Sequence, residues 1–495
     1  MKIIPVGVLA ASDMIPDHVK LLDRSTIAII AAILCLGSLM LFWPGYAGFD
    51  AIDQYQQAMS GRYNDWHPPA MARLWSILHQ SFGGVTAPMF AIQILSYWFG
   101  LGLFAAALVR ERRPGAGLVI LTIGAFPPFL GWQVEVLKDS QMIGALVAAM
   151  GLVATYRLRG VRMPRASVAA VIVLIGYGTL VRGNGAFATV PLAVMLVPRL
   201  STRWRIAIAS IAIVIGLFAL PIFNQHVLGA AASRVQRSQP IFDLAGIAMN
   251  GGDGTGLTRS ERAAIRDGHC YKPYFWDPLG HARRCGPALS RLMTEPMSAL
   301  IGNWMRAIVQ NPTAYLQHRT AHLNATERLI VPRRWLRGAP ATRSWQPGHD
   351  TETTADDFII AEPGPLAKRF QYLVGRLADT PLCWPIFWVA LALTGLCALR
   401  KSPAGPVRAL ALALLVSALA LDASFVVLSI SSPLRYHLWP MLATALAFVL
   451  FLSERAGSPR VWMAGGLAVT LVIATGTAAR LILPPASKTY SGMLQ

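Results

Sequence analysis

The chain has 495 residues, 54% of them hydrophobic and only 14% charged, too few charges to cover a soluble protein of this size. A formal net charge of +20 would point to nucleic acid in a soluble protein. Here no basic stripe is interleaved with stacking aromatics, so no nucleic-acid partner is expected.

The apolar residues run in long blocks, several near the roughly 20 residues that cross a bilayer as helix. Lipid offers no partner to a bare backbone N–H or C=O, so these blocks must be helices. The first stretch, 1–25, is polar and mixed, and no small-residue cleavage site follows the first apolar block. It reads as a cytoplasmic segment without a cleavable signal peptide. About eleven spans follow, over 26–44, 88–109, 116–134, 139–156, 167–183, 185–198, 206–223, 381–399, 408–430, 433–452 and 461–482. Every second connection is short and basic: Arg110 with Arg112 and Arg113, then Arg157 to Arg165, Arg199 to Arg205, Arg400 to Arg408, and Arg455 with Arg460. The positive-inside rule places these and the N-terminus in the cytoplasm, and an odd span count puts the C-terminus outside. The fold class is therefore an all-α polytopic membrane protein with one large external loop domain. Its predicted parts are an N-terminal membrane module (26–223), the large loop (224–380) and a C-terminal membrane module (381–495).

The first external loop, 45–87, contains PGYAGFDAIDQYQQAMSGRYNDWHPP. A helix over 49–59 would set Asp50, Asp53, Gln54 and Gln57 on one face and Ile52, Tyr55 and Met59 on the other. Two carboxylates and two amides would then project together at the membrane rim, followed by Asp65 and His67. The bland reading is a surface helix with acidic residues near its N-terminus, which the dipole favours. The sharper one is a catalytic base with orienting neighbours.

The second external turn reads VEVLKDSQ. Asp139 has the character of an N-cap, whereas Lys138 works against the helix dipole, a conflict that an anionic ligand would remove. Snorkelling to headgroups is the plain alternative. After the fifth span comes VRGNG, with Arg182 at the outer boundary, where a structural role is as well supported as a functional one. In the large loop Cys270 and Cys285 close CYKPYFWDPLGHARRC, and an oxidising compartment would join them. Cys35, Cys383 and Cys397 read as buried thiols in the spans. His318 and Arg319 in the same loop read as headgroup contacts or plain surface. Late in the chain, SSPLRYHLWP offers Ser432 as N-cap, Pro433 in the first turn, and Arg435, Tyr436 and His437 beside it. Lys138, Arg182 and Arg435 together would hold a phosphate by charge-assisted hydrogen bonds, while a carboxylate accepts a proton.

These pieces, FDAIDQ with DWHPP, VLKDS, VRGNG and PLRYHLWP in this order, resemble the GT-C superfamily of membrane glycosyltransferases, which includes protein mannosyltransferases and lipid A aminoarabinose transferases. The likeness covers roughly 26–230 and 380–482, and the large loop only loosely. It implies a GT-C-like bundle in a bacterial inner membrane, with its site facing the periplasm. It implies a sugar donor on polyprenyl phosphate and a glycan, lipid or protein acceptor. It also implies a first-loop acid as base, here Asp50 or Asp53. The family often has two adjacent acids where this chain spaces them by three, so both stay open, Asp50 being nearer the membrane. Gln54, Asp65, His67, Tyr436 and His437 become acceptor-side candidates, and Lys138, Arg182 and Arg435 lipid-phosphate ligands. Some members hold a divalent metal, Mg or Mn, which here would fall to Asp139 with Asp53; others need no metal. A lipid-linked oligosaccharide flippase would instead show broken spans with midplane charges, for which Asp422 is the clearest candidate. An O-antigen ligase or acyltransferase would share the rim site and differ in donor.

Overall fold

The computed structural model describes residues 23–335, 338–344, 361–400, 402–453, 457–487 and 492–493. A helix stands at each of the eleven predicted positions. The N-terminal module contains α1 (Arg24–Phe42), α4 (Ala87–Arg110), α5 (Pro114–Ala125), α6 (Pro127–Gln133), α7 (Lys138–Arg157), α8 (Arg165–Leu180), α9 (Ala186–Leu196) and α10 (Thr202–Ile222). Between α1 and α4 lie α2 (Phe49–Ser60) and α3 (Ala70–Phe82). The later membrane helices are α16 (Pro385–Leu399), α17 (Pro406–Ser424), α18 (Leu438–Leu452) and α19 (Pro459–Ile482).

Six of the described helices are long and apolar enough to cross a membrane, and seven if α5 and α6, bent by 55° at their junction, form one span. The predicted eleven counted apolar blocks. The difference lies in α8, α9 and α16, which are shorter apolar helices, and in α7, which carries Lys138, Asp139 and Arg157. The bend between α5 and α6 falls at Pro127 and Pro128, where proline interrupts the hydrogen-bond ladder. None of α10 is buried, and Ile206, Ile211 and Phe218 on it are largely exposed. A helix apolar along its length that buries no residue against its neighbours has lipid as its natural solvent. By contrast α7 is buried along nearly all its length, with α4 packed on one side and α8 on another.

Two glycines set the α4–α7 contact. A Cβ on Gly100 would stand 2.4 Å from the backbone N of Ala148, and one on Gly151 would stand 2.3 Å from the carbonyl oxygen of Gly100. The helices touch backbone to backbone there, as small residues allow in membrane packing. On the other side of the bundle α17 packs against both α9 and α18.

The large loop has a helical core of its own. Helices α11 (Ser238–Met249), α12 (Arg259–Asp267), α13 (Met297–Gln310) and α14 (Pro312–Glu327) gather Ile241, Phe242, Leu244, Leu279 and Leu300 around a Cys270–Cys285 disulfide. Thr258 and Glu261 form a reciprocal cap at the start of α12. A further helix, α15 (Pro365–Leu377), lies against α6, where Gln371 donates to the Gly131 carbonyl at 2.8 Å. Cys397 is exposed, unlike the buried Cys35 and Cys383, because it stands on the side of α16 that faces away from the bundle.

His318 and Arg319 are not headgroup contacts. Both are buried on Asp243, at 3.0 Å and 3.3 Å, and Tyr271 OH meets His318 Nδ1 at 2.9 Å. Arg319 also donates to the carbonyls of Val426 and Ser429 beyond α17, fastening the loop core to the membrane bundle. A buried arginine needs partners of this kind, and long-range partners are invisible to a local sequence pattern.

Candidate functional site

The loop after α1 and the turn before α7 are joined by backbone pairing. Tyr46 N–H donates to Val134 O at 3.1 Å and Val136 N–H to Tyr46 O at 2.7 Å. This brings the first turn of α2 against the start of α7. Gly48 permits the approach, since a Cβ there would lie 2.6 Å from Oε1 of Glu135. The turn Leu434–His437, which leads into α18, supplies the third wall.

The residues that these elements bring together are Asp50, His67, Lys138, Asp139, Arg182 and Arg435. Asp50 is ion-paired to Arg435 and lies 3.4 Å from Lys138 Nζ. Arg435 Nε lies 3.7 Å from Asp139, which is also paired with Arg182. Arg182 donates to Asn184 at 2.7 Å and sits 4.3 Å over the ring of Tyr436. Three cations thus face two carboxylates in a largely buried patch, leaving an excess of positive charge with low dielectric around it. An anion is the ligand that such a patch attracts.

His67 completes the cluster. Lys138 has only donors, so its 2.6 Å contact with His67 Nδ1 makes that nitrogen the acceptor. The ring proton then sits on Nε2, which faces Asp50 at 3.8 Å. Burial, and next the Lys138 charge, push the His67 pKa from 6.5 down to about 3. The folded state therefore prefers neutral His67, while the unfolded chain takes up a proton below about 6.5. Its stabilising share is complete above that pH and is lost as pH falls toward about 3, at roughly 1.4 kcal/mol per unit. Thermal melts in detergent at pH values of about 7.5, 6 and 5 should show a steeper loss for the wild type than for His67→Gln, whose amide oxygen still accepts from Lys138. Parallel pH dependences would mean that His67 takes up its proton as readily in the folded protein as in the unfolded chain.

A cavity of about 980 Å³ opens beside the cluster, lined by Asp50, Arg435, Glu135, Trp132, Trp335 and Arg376 among others. Glu135 and Trp132 were not singled out in the sequence, although VEVLKDSQ contains the first of them. Flanking valines disguise it as part of an apolar turn. Burial raises the Glu135 carboxyl, against an opposing hydrogen bond from Ala341 N–H at 3.0 Å. That bond also brings the large loop to the edge of the site.

Other predicted site residues lie elsewhere. Asp53 does not line the cavity and accepts from Gln57 at 2.7 Å; burial first, then the neighbouring Asp50, raises its carboxyl. Gln54 is buried, with its amide 3.5 Å from the Asp50 carbonyl. Asp65 accepts from Gln225 at 2.8 Å and from Ser233 N–H at 2.6 Å. It fastens the first loop to the strand pair β1 (Tyr63–Asn64) and β2 (Ala230–Ala231) rather than facing a substrate. His437 is fully buried on Asp422 at 2.7 Å, outside the cavity lining. Lys138 itself begins α7, with Leu137 as N-cap, so Asp139 is a first-turn residue and not the cap. Ser432 donates to the Tyr274 carbonyl at 2.9 Å instead of capping, and Pro433 takes the cap position. Asp139 between two guanidiniums, and Asp53 on Gln57, are a poor fit to a shared divalent cation.

No family model and no curated protein matches the chain. Among the solved structures that resemble it are two of one enzyme. One is ArnT from Cupriavidus metallidurans bound to undecaprenyl phosphate, with 13% identity, 86% of this chain and 77% of that chain covered, and a TM-score of 0.30. The other is the same organism's ArnT in the apo state, with 14% identity, 86% and 76% covered, and a TM-score of 0.29. At those TM-scores the likeness settles neither fold nor function.

Proposed function

We propose that this protein is a membrane glycosyltransferase of GT-C type that moves a sugar from a polyprenyl-phosphate donor to an acceptor hydroxyl at the periplasmic face of a bacterial inner membrane. The observation that carries the reading is Asp50. It lines the cavity while engaged by Arg435 and Lys138. A carboxylate and one cation for a phosphate, Arg435, thus line the cavity together, with Lys138 3.4 Å from Asp50 behind them.

In the proposed reaction the donor phosphate competes for Arg435 and Lys138. Asp50, released from them, accepts the proton of the acceptor hydroxyl as its oxygen attacks the anomeric carbon. The bond from that carbon to the phosphate oxygen breaks, and the lipid phosphate leaves with its charge held by Lys138, Arg435 and Arg182. Direct displacement inverts the anomeric centre. Arg376 and Trp335 at the cavity wall would face the acceptor. No step needs a metal.

The test is transfer of radiolabelled sugar from a panel of polyprenyl-phosphate donors in proteoliposomes, undecaprenyl phosphate being the carrier to try first. Label appearing on an acceptor supports the reading. Labelled lipid that changes leaflet without transfer would instead favour a flippase. Arg435→Lys is expected to reduce transfer by about 10- to 100-fold, because one ammonium cannot replace the guanidinium fork on both a phosphate and Asp139. Unchanged initial rates in that variant would remove Arg435 from phosphate binding.

A further inference from the structure

Away from the cavity, three metal-capable side chains from distant parts of the chain meet in the interior. Glu327 ends α14, Asp422 lies near the end of α17, and His437 closes the turn before α18. One ligand atom from each lies within 4.8 Å of the others, and all three residues are buried. Among the described residues this is the one such group of His, Cys, Asp and Glu.

Two of its atoms have no hydrogen-bond partner: Nε2 of His437, which is fully buried, and Oε2 of Glu327, which is 5% exposed. An unpartnered polar atom in the interior keeps the full cost of its desolvation. The Glu327 oxygen, unpartnered beside a second carboxylate, is an arrangement that a stable core avoids unless something else occupies the gap. Asp422 meets Nδ1 of His437 at 2.7 Å. An ion would take the place of the proton in that contact, so that Nδ1 and the Asp422 oxygen both become ligands.

We propose that Glu327, Asp422 and His437 hold a zinc ion. One imidazole and two carboxylates suit zinc, whose ligands lie roughly 2.0–2.2 Å from the ion and hence about 3.4 Å apart in a tetrahedron. To reach that spacing the Asp422–His437 contact, now 2.7 Å, would open as the ion enters, with all three ligand atoms already within 4.8 Å of one another. Magnesium and calcium call for more ligands, all oxygen. The ion clasps the loop core to the bundle at the turn that also carries Arg435, two residues before His437. It is distinct from the Asp50 cavity and does not depend on the transferase reading.

The experiment is metal analysis of detergent-purified, monodisperse protein grown with zinc, before and after a chelator, with melting temperature measured alongside. The wild type should carry about one zinc per chain, lose melting temperature when stripped, and regain it when zinc alone is returned. Glu327→Gln and His437→Gln should retain less than about a tenth of the zinc and show no zinc-dependent shift. Should those variants fail to fold, cobalt added to stripped wild type decides. A visible absorption band of an oxygen–nitrogen site, displaced by zinc, supports the proposal. Folded wild type that binds neither ion, or variants that bind as much zinc as the wild type, overturn it.

Discussion

Asp50→Asn is expected to lower the initial rate of sugar transfer by about a thousandfold, within the range that loss of a general base produces, while the protein still inserts and purifies. Asparagine keeps the shape and removes the proton acceptor. It also removes the negative charge facing Arg435 and Lys138, so the donor phosphate no longer competes with a carboxylate. The loss should therefore fall on kcat, with KM for the donor unchanged or lower. Asp53→Asn is expected to cost less than about tenfold, because Asp53 engages Gln57 and is absent from the cavity wall, and one such hydrogen bond is worth about 1 kcal/mol. Steady-state rates for both variants on one donor settle the matter. If Asp50→Asn keeps more than about a tenth of wild-type activity, the base lies elsewhere, and Glu135 in the same cavity becomes the next residue to change.

Gly151→Leu should abolish the folded protein, and Gly151→Ala should lower stability by about 3 kcal/mol or more. The added carbon would lie 2.3 Å from the Gly100 carbonyl oxygen and 3.0 Å from the Gly100 Cα, and both are backbone. No rotamer change relieves such a clash. Relief requires α4 and α7 to move apart, and α7 begins with Lys138 and Asp139, so the site would be disturbed even where the chain survives. Gly466→Ala is the control: nothing lies within 4 Å of its Cβ position on α19, and replacing glycine within an exposed helix is neutral or slightly stabilising. Melting curves from detergent extracts would compare the three. A Gly151→Leu protein that melts with the wild type would refute the close contact.

The helices were legible because hydropathy is a local property and lipid permits few structures. Each apolar block became a helix, although composition and length alone do not assign every one as a span. The loop helices α11 to α15 were missed. They bury a face against one another, and their periodicity is diluted by Pro, Gly and Arg. Within the site, a charge that opposes a helix dipole identified Lys138, and clustered polar residues at one rim identified Asp50, Arg182 and Arg435. Those arguments concern a residue and its near neighbours.

They could not separate Asp50 from Asp53, because both follow the same helix periodicity. Only the tertiary arrangement directs one at Arg435, 385 residues away, and the other at Gln57. Asp65, His318 and His437 carried the same local signs of function, yet each is engaged by a partner that the chain brings from a distance. The sequence by itself thus determined an all-helical membrane protein and the rim on which charge collects, since lipid solvation acts on each segment separately. The tertiary structure alone decided which charges meet, which are buried as fastenings, and that Glu135 joins the cavity, since an ion pair depends on distances that only the packed helices set.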